Sequence, residues 1–370
     1  MVMVTAGAFD GERPLHPAGA AVLLAAFERG WAQPGGLGEA SAHSRHLLQA
    51  AREEIAGHLG VTATELEFWG EPALISPMAL QGMPAFTEGK LIVGATERQE
   101  ILALAARAKS SATLGVSHSG LIDHDQLLEE VERDSIVAIQ SANIETGVCQ
   151  NLKEISQIVG AMKAQLHIDY SASGPLVPLP HYWSTADFPA KSWDGPSGLG
   201  VMLINKSQRW ANPLATASTR RSPESYSLPL VLAAAASLTG WLADSKNESE
   251  RLRNLTTMMR EVIARTIPDV DIAGSGKSEE SLPHILSVSI LNISGERLVN
   301  ALAREGFAVA SGSACVASAI EPSHVLQAMG ILTHGNIRIS LMHGVQESDV
   351  KRFLALLPGI ISQLRTEAGA

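Results

Sequence analysis

The stretch from Ser135 to Asp169, SIVAIQSANIETGVCQNLKEISQIVGAMKAQLHID, sets the architecture. Its first six residues are a short run rich in β-branched apolar side chains, and Leu166 to Asp169 repeats that pattern. Between them, Asn151 to Ala164 places apolar residues at helical spacing. Strand, helix and strand in that order predict a βαβ unit on a mostly parallel sheet. Working outward, Leu91 to Ala95 and Gly200 to Ile204 read as further buried strands. Ser44 to Leu59, Glu97 to Lys109 and Leu121 to Arg133 read as helices.

The pattern changes after a polar helix from about Asp244 to Thr266 and a Gly/Ser/Glu-rich connector from Pro268 to Ser281. His284 to Ile293, Gly295 to Glu305, Phe307 to Ala310, Asn336 to Leu341 and Glu347 to Leu356 then predict a smaller α+β unit. The expected division is a large α/β domain over residues 15–250 and a small domain over 251–370 together with 1–14. A sheet of this kind offers ligand sites at the carboxyl ends of its strands, where the second domain would cover them.

A chain of 370 residues with 45% apolar and 18% charged residues supports a large core and excludes a disordered chain. Lys plus Arg number 28 against 38 Asp plus Glu, a formal charge of −10 with no basic concentration, so no nucleic-acid partner is expected. The apolar run from Leu228 to Leu238 is too short to span a bilayer, and Met1 to Pro14 lacks a secretory pattern. A cytoplasmic protein without a membrane partner is expected. Two cysteines, Cys149 and Cys315, are too few for a disulfide framework and point to a reducing compartment.

Cys315 lies in Val309-Ala-Ser-Gly-Ser-Ala-Cys-Val-Ala-Ser318. Small neighbours leave the backbone free to move and the sulfur unburied, which suits a thiolate that must travel to a substrate. A small buried cysteine in a tight turn is the plainer alternative. Cys149, beside Val148, reads as a packed core residue. His43 and His46 stand three apart with no second ligand cluster, so no metal site is expected. Gly195 to Gly200 lacks the features of a dinucleotide fingerprint.

The segment Ser311 to Gly330, SGSACVASAIEPSHVLQAMG, resembles the mobile loop of the cysteine desulfurases, pyridoxal-phosphate enzymes of the class V aminotransferase group. Asn336-Ile-Arg-Ile-Ser340, Ala142-Asn-Ile-Glu-Thr-Gly147, His167-Ile-Asp169 and Gly195-Pro-Ser-Gly-Leu-Gly200 resemble further family segments, and the likeness runs from about Pro34 to Leu356. It implies the fold-type I, aspartate-aminotransferase-like α/β fold and a homodimer. It also implies pyridoxal 5'-phosphate (PLP) as cofactor and L-cysteine as substrate. By the same resemblance Cys315 accepts sulfur as a persulfide and Arg338 holds the substrate carboxylate, a task that suits a planar guanidinium. Asp169 faces the pyridine nitrogen, with Arg98, Asn143 and Ser225 at further cofactor positions, Ser225 reaching across from the second subunit. Read without the resemblance, Asp169 is a strand-end turn residue and Arg338 a strand arginine reaching solvent.

Departures from the family pattern fall on the cofactor. Arg98 stands where the family has a histidine over the ring, Ile144 replaces an asparagine, and Ala172 replaces a glutamine. The phosphate turn reads Gly70-Glu-Pro-Ala73, in which Pro72 has no N–H and Glu71 adds negative charge. Aligned on Gly195-Pro196, the Schiff-base position falls on Ser192 and Lys191 is one residue early. An extra residue in the turn, with Asp194 the candidate, would return Lys191 to the site; a simple shift by one would turn it to the other face. Two functions are therefore expected. The first is a desulfurase mobilising L-cysteine sulfur on Cys315 for iron–sulfur cluster assembly or a related pathway, with a scaffold or acceptor protein as partner. The second is a degenerate homologue without PLP, serving as a sulfur relay or scaffold.

Overall fold

The structure, a computed structural model, describes residues 7–214, 221–311 and 322–369. Cys315 therefore lies outside the described residues. The larger sheet has seven strands: β2 (Leu66–Trp69), β3 (Lys90–Gly94), β4 (Ser111–Leu114), β5 (Ser135–Gln140), β6 (Gln165–Asp169), β7 (Thr185–Pro189) and β8 (Gly200–Ile204). Their order is β2-β8-β7-β6-β5-β3-β4, and β8 alone runs antiparallel to its neighbours. All six residues of β5 are buried, which explains its unbroken apolar run: helices cover both faces of a parallel sheet, so neither face needs polar side chains.

Helix α6 (Leu152–Met162) starts where the Asn151 side chain accepts the Glu154 N–H, and it buries Leu152, Ile155 and Val159 at helical spacing. It stops at Lys163 in a left-handed conformation. The predicted helix over Leu121 to Arg133 is shorter, α5 (His124–Glu130), because Asp123 caps its start and the preceding residues form a turn. Three strands of this seven-stranded sheet carry no clear strand pattern in the sequence, and β9 (Val270–Ile272) falls inside the stretch expected to be a connector. β2 is only four residues, β4 is largely exposed, and β7 carries an Asp and ends on a Pro.

Helix α7 (Leu228–Thr266) is 39 residues long, roughly 60 Å at the standard rise. Its first half is apolar enough by length and composition to cross a bilayer, yet Val231, Ala234 and Leu238 lie in the core beneath the large sheet. Its second half supplies Leu252, Met259 and Ile263 to a second core. That core is built on β9 (Val270–Ile272), β10 (Ile285–Ile290) and β12 (Ile337–Ser340), an antiparallel sheet of order β12-β10-β9. Phe9, on β1 (Ala8–Phe9), joins this second core with Phe307 and Phe353, and β1 pairs in parallel with β11 (Ala308–Val309). The chain start thus belongs to the C-terminal core.

Chain order reverses between β3 and β5, since β4 lies on one side of β3 and β5 on the other. The carboxyl ends of β3, β5, β6 and β7 are consequently the natural place for a site.

Candidate functional site

Three of those strand ends deliver charged side chains to one buried point. Asp169 ends β6 and Asp187 lies on β7, directly opposite in the parallel register. Both are almost fully buried. Two neighbouring carboxylates out of water require a cation. Arg98, which follows β3 and precedes α4 (Gln99–Arg107), supplies it: its Nε lies 2.7 Å from Asp169 Oδ2. The other arm of the guanidinium donates to Ser76 Oγ at 2.7 Å, and Ser76 donates to Asp187 Oδ1 at 2.7 Å. His167 Nε2 lies 3.2 Å from the same oxygen, with Nδ1 2.9 Å from Thr185 Oγ1.

Burial, and then the Asp187 charge, raises the Asp169 pKa; Arg98 and the Ser171 N–H, which donates at 2.7 Å, oppose the rise. For Arg98, burial works against the charge but is outweighed by Asp169, Asp187 and the neighbouring glutamates, so its pKa is raised. Glu97 is buried beside them and accepts the Gln140 N–H at 2.8 Å; burial pushes its carboxyl well above the ordinary range. Sequence reasoning did not find Ser76 or Asp187. The only signal for Asp187 was the alternation in Thr185-Ala-Asp-Phe188, masked by the polar and proline residues, and Ser76, on a short helix over 75–81, had none.

Beside this cluster lies a cavity of about 260 Å³, lined by Arg13, Ala172, Lys191, Ser192, His284 and Arg338 among others. Arg338 projects from β12, donating to the Asp10 carbonyl at 3.0 Å and, more weakly, to the Ile144 carbonyl at 3.5 Å. Its Nε has no hydrogen-bond partner among the described residues. Arg13 Nη2 lies 2.6 Å from His284 Nε2, and burial with the nearby arginines holds the His284 pKa well below its ordinary value. A neutral imidazole there accepts from Arg13. With Arg13, Lys191 and Arg338 set against Glu12, the cavity favours an anion.

Lys191 and Asp169 are not brought together. Lys191 sits in the single turn Ala190–Trp193, with its side chain 44% exposed and its Nζ 2.7 Å from Glu12 Oε2, a pairing that lowers the Glu12 pKa. Asp194 ends that turn in a left-handed conformation and contacts Arg13 instead of returning Lys191 to the sheet. Ser192, at the position aligned with the Schiff base, lines the cavity and donates to the Pro189 carbonyl. Asn143 is committed to the protein: Nδ2 donates to the Thr96 carbonyl, while Oδ1 accepts from Glu145, Thr146 and the Thr146 hydroxyl. Ser225 is exposed, and its carbonyl is packed so closely on Gly70 that a Cβ there would lie 2.2 Å away. Cys149 is buried with its thiol pushed up to about 12 by burial, an inert sulfur as expected.

The chain matches the aminotransferase class-V family over residues 24–353. It is 28% identical over 341 residues to the cysteine desulfurase IscS of Dictyoglomus turgidum, covering 87% of this chain and 86% of that protein. It is 26% identical over 336 residues to a cysteine desulfurase of Nostoc sp., covering 86% and 83%. Among solved structures, a NifS-like protein of Rickettsia africae superposes with a TM-score of 0.84 at 18% identity, covering 96% of this chain and 99% of that one. SspA in complex with cysteine gives 0.77 at 19%, covering 92% and 100%. These structures share the fold of PLP-dependent transferases.

That family is PLP-dependent, but the residues here do not fit the group. Asp169, the carboxylate expected at the ring nitrogen, is already paired with Arg98, and Lys191 is turned to Glu12. At the phosphate turn, Glu71 itself accepts the Ala73 N–H at 3.3 Å, so an anion already sits on that donor. From its matched length and its fold, the chain belongs to the aminotransferase class-V family, among the cysteine desulfurase-like members of fold-type I.

Proposed function

We propose that this protein handles sulfur that originates in L-cysteine and carries it as a persulfide on Cys315. One observation carries the reading. The backbone of Arg338 is bonded in both directions to Ala310, at 2.7 and 3.1 Å, so the strand that leaves the anion-favouring cavity reaches Cys315 five residues later. Five extended residues span at most about 17 Å. Beyond Cys315 the chain is anchored again, where Ser323 donates to Glu145 at 2.8 Å and His324 contacts the Glu97 carbonyl at 2.9 Å. A sulfur acceptor tethered at both ends beside a carboxylate-binding arginine is the arrangement that an amino-acid sulfur donor requires.

Arg338, whose side chain lines the cavity, orients the donor's carboxylate, and Arg13 adds positive charge. In the transfer from a persulfide donor, the Cys315 thiolate forms a bond to the donor's outer sulfur as the donor's sulfur–sulfur bond breaks, and the carrier leaves as a thiolate that takes a proton. PLP would supply the electron sink for direct cleavage of a carbon–sulfur bond, and no step here is routed through it. The Arg98–Asp169 pair favours a second reading, in which Cys315 receives sulfur already mobilised elsewhere, by exchange at a sulfur–sulfur bond. A cytoplasmic homodimer serving iron–sulfur cluster assembly or a related transfer is the setting we propose; exposed Leu24 and Phe27 on helix α1 (Pro17–Arg29), with exposed Trp31 just beyond it against Phe27, suit a covered face.

The test is the mass of the Cys315 peptide after incubation with L-cysteine alone, or with a cysteine persulfide donor. One added sulfur from cysteine alone supports direct mobilisation, and addition from the persulfide only supports relay. Addition under neither condition, or equal addition at Cys149, refutes both.

A further inference from the structure

We propose that Arg98 is a built-in occupant of the ring site, its guanidinium standing against Asp169 where a cofactor's protonated ring nitrogen would stand, so that the chain is closed to PLP. The inference rests on the family reading and deepens it. An aspartate buried at the end of a central strand, opposite a second buried aspartate, is stable as an anion only against a cation. In this chain the cation is covalently part of the protein, and the contact is 2.7 Å.

The guanidinium is not loosely placed. Its second arm is held by Ser76, Ser76 is held by Asp187, and Asp187 stands against His167, so the charge circuit closes across β6, β7 and the helix α3 (Ile75–Gln81) that carries Ser76. Rotating Arg98 aside to admit a ring would break two of these contacts and leave Asp169 beside Asp187 without a cation. The other anchors have changed in the same direction. Glu71 holds the Ala73 N–H, Pro72 has no N–H, and Ser192 stands in the lysine position. Arg98 shields the carboxylate and Glu71 occupies the phosphate donor, so two internal charges of opposite sign take the two ends of the missing group.

The experiment follows the purified protein and the variant Arg98→His/Ser192→Lys, each titrated with PLP and then reduced with borohydride. For the wild-type protein we expect no visible chromophore, no rise in melting temperature and no preference for Lys191 over other exposed lysines in the reduced adducts. The variant is expected to gain a visible chromophore that reduction fixes at residue 192. A one-to-one wild-type adduct on Lys191, accompanied by a higher melting temperature, overturns the proposal whatever the variant does. A folded variant that stays colourless overturns the role given to Arg98. Neither measurement reads sulfur transfer, so failure here is distinct from failure of the persulfide assignment.

Discussion

Replacing Arg98 by methionine keeps the length of the side chain and removes its charge. Asp169, with its side chain 3% exposed, then has two options, each with a calculable cost. It can remain ionised next to Asp187, which a buried site resists, or it can take up a proton. From the ordinary value of 3.8, protonation at pH 7 costs about 4 kcal/mol, at roughly 1.4 kcal/mol for each pH unit. That figure caps the loss, and it agrees with the ~3–5 kcal/mol typical of breaking a buried ion pair. Arg98→Met is therefore expected to lower unfolding free energy by about 3 kcal/mol at pH 7, measured by urea denaturation. The loss must depend on pH. Without Arg98 the folded-state pKa of Asp169 rises further above its unfolded value, so stability is retained near pH 4 and declines as pH rises. Adding Asp169→Asn to Arg98→Met removes the stranded charge and should recover at least half of the loss. A loss below about 1 kcal/mol, or one constant between pH 5 and 8, would refute the claim that this pair neutralises the site.

Glu97→Gln keeps an acceptor for the Gln140 N–H but abolishes titration. Because the folded-state pKa of Glu97 is raised, the wild-type protein loses stability as pH climbs above 4.5, and the variant should be more stable than wild type at pH 8 with little difference at pH 4.5. A variant less stable at pH 8 would show that Glu97 is needed as an anion. Arg338→Ala should weaken L-cysteine binding, read by calorimetry, by about 10- to 100-fold, the worth of a charged hydrogen bond at ~1.5–3 kcal/mol. Unchanged affinity would place the carboxylate elsewhere.

Local pattern determined much of this protein. The run from Ser135 to Gln140 and the helix capped by Asn151 are written in periodicity and capping chemistry, which act over a few residues, and both stand where the sequence predicts them. Asp169 at a strand end and the position of Arg98 after β3 were equally legible. Strand β7 was not, because Asp187 and Pro189 break the apolar pattern; the sheet tolerates Asp187 through Ser76 and His167, which lie far from it in sequence or on another strand. The direction of Lys191 was also beyond the sequence. A single turn at Ala190–Trp193 and the left-handed Asp194 decide which neighbour faces the sheet, and the partner Glu12 comes from the other end of the chain. Above all, the sequence shows a histidine position filled by arginine but not what the arginine does. Only folding places its guanidinium 2.7 Å from Asp169 and lets Ser76 join it to Asp187, because the charge of a buried carboxylate is balanced by whatever the tertiary packing brings within reach.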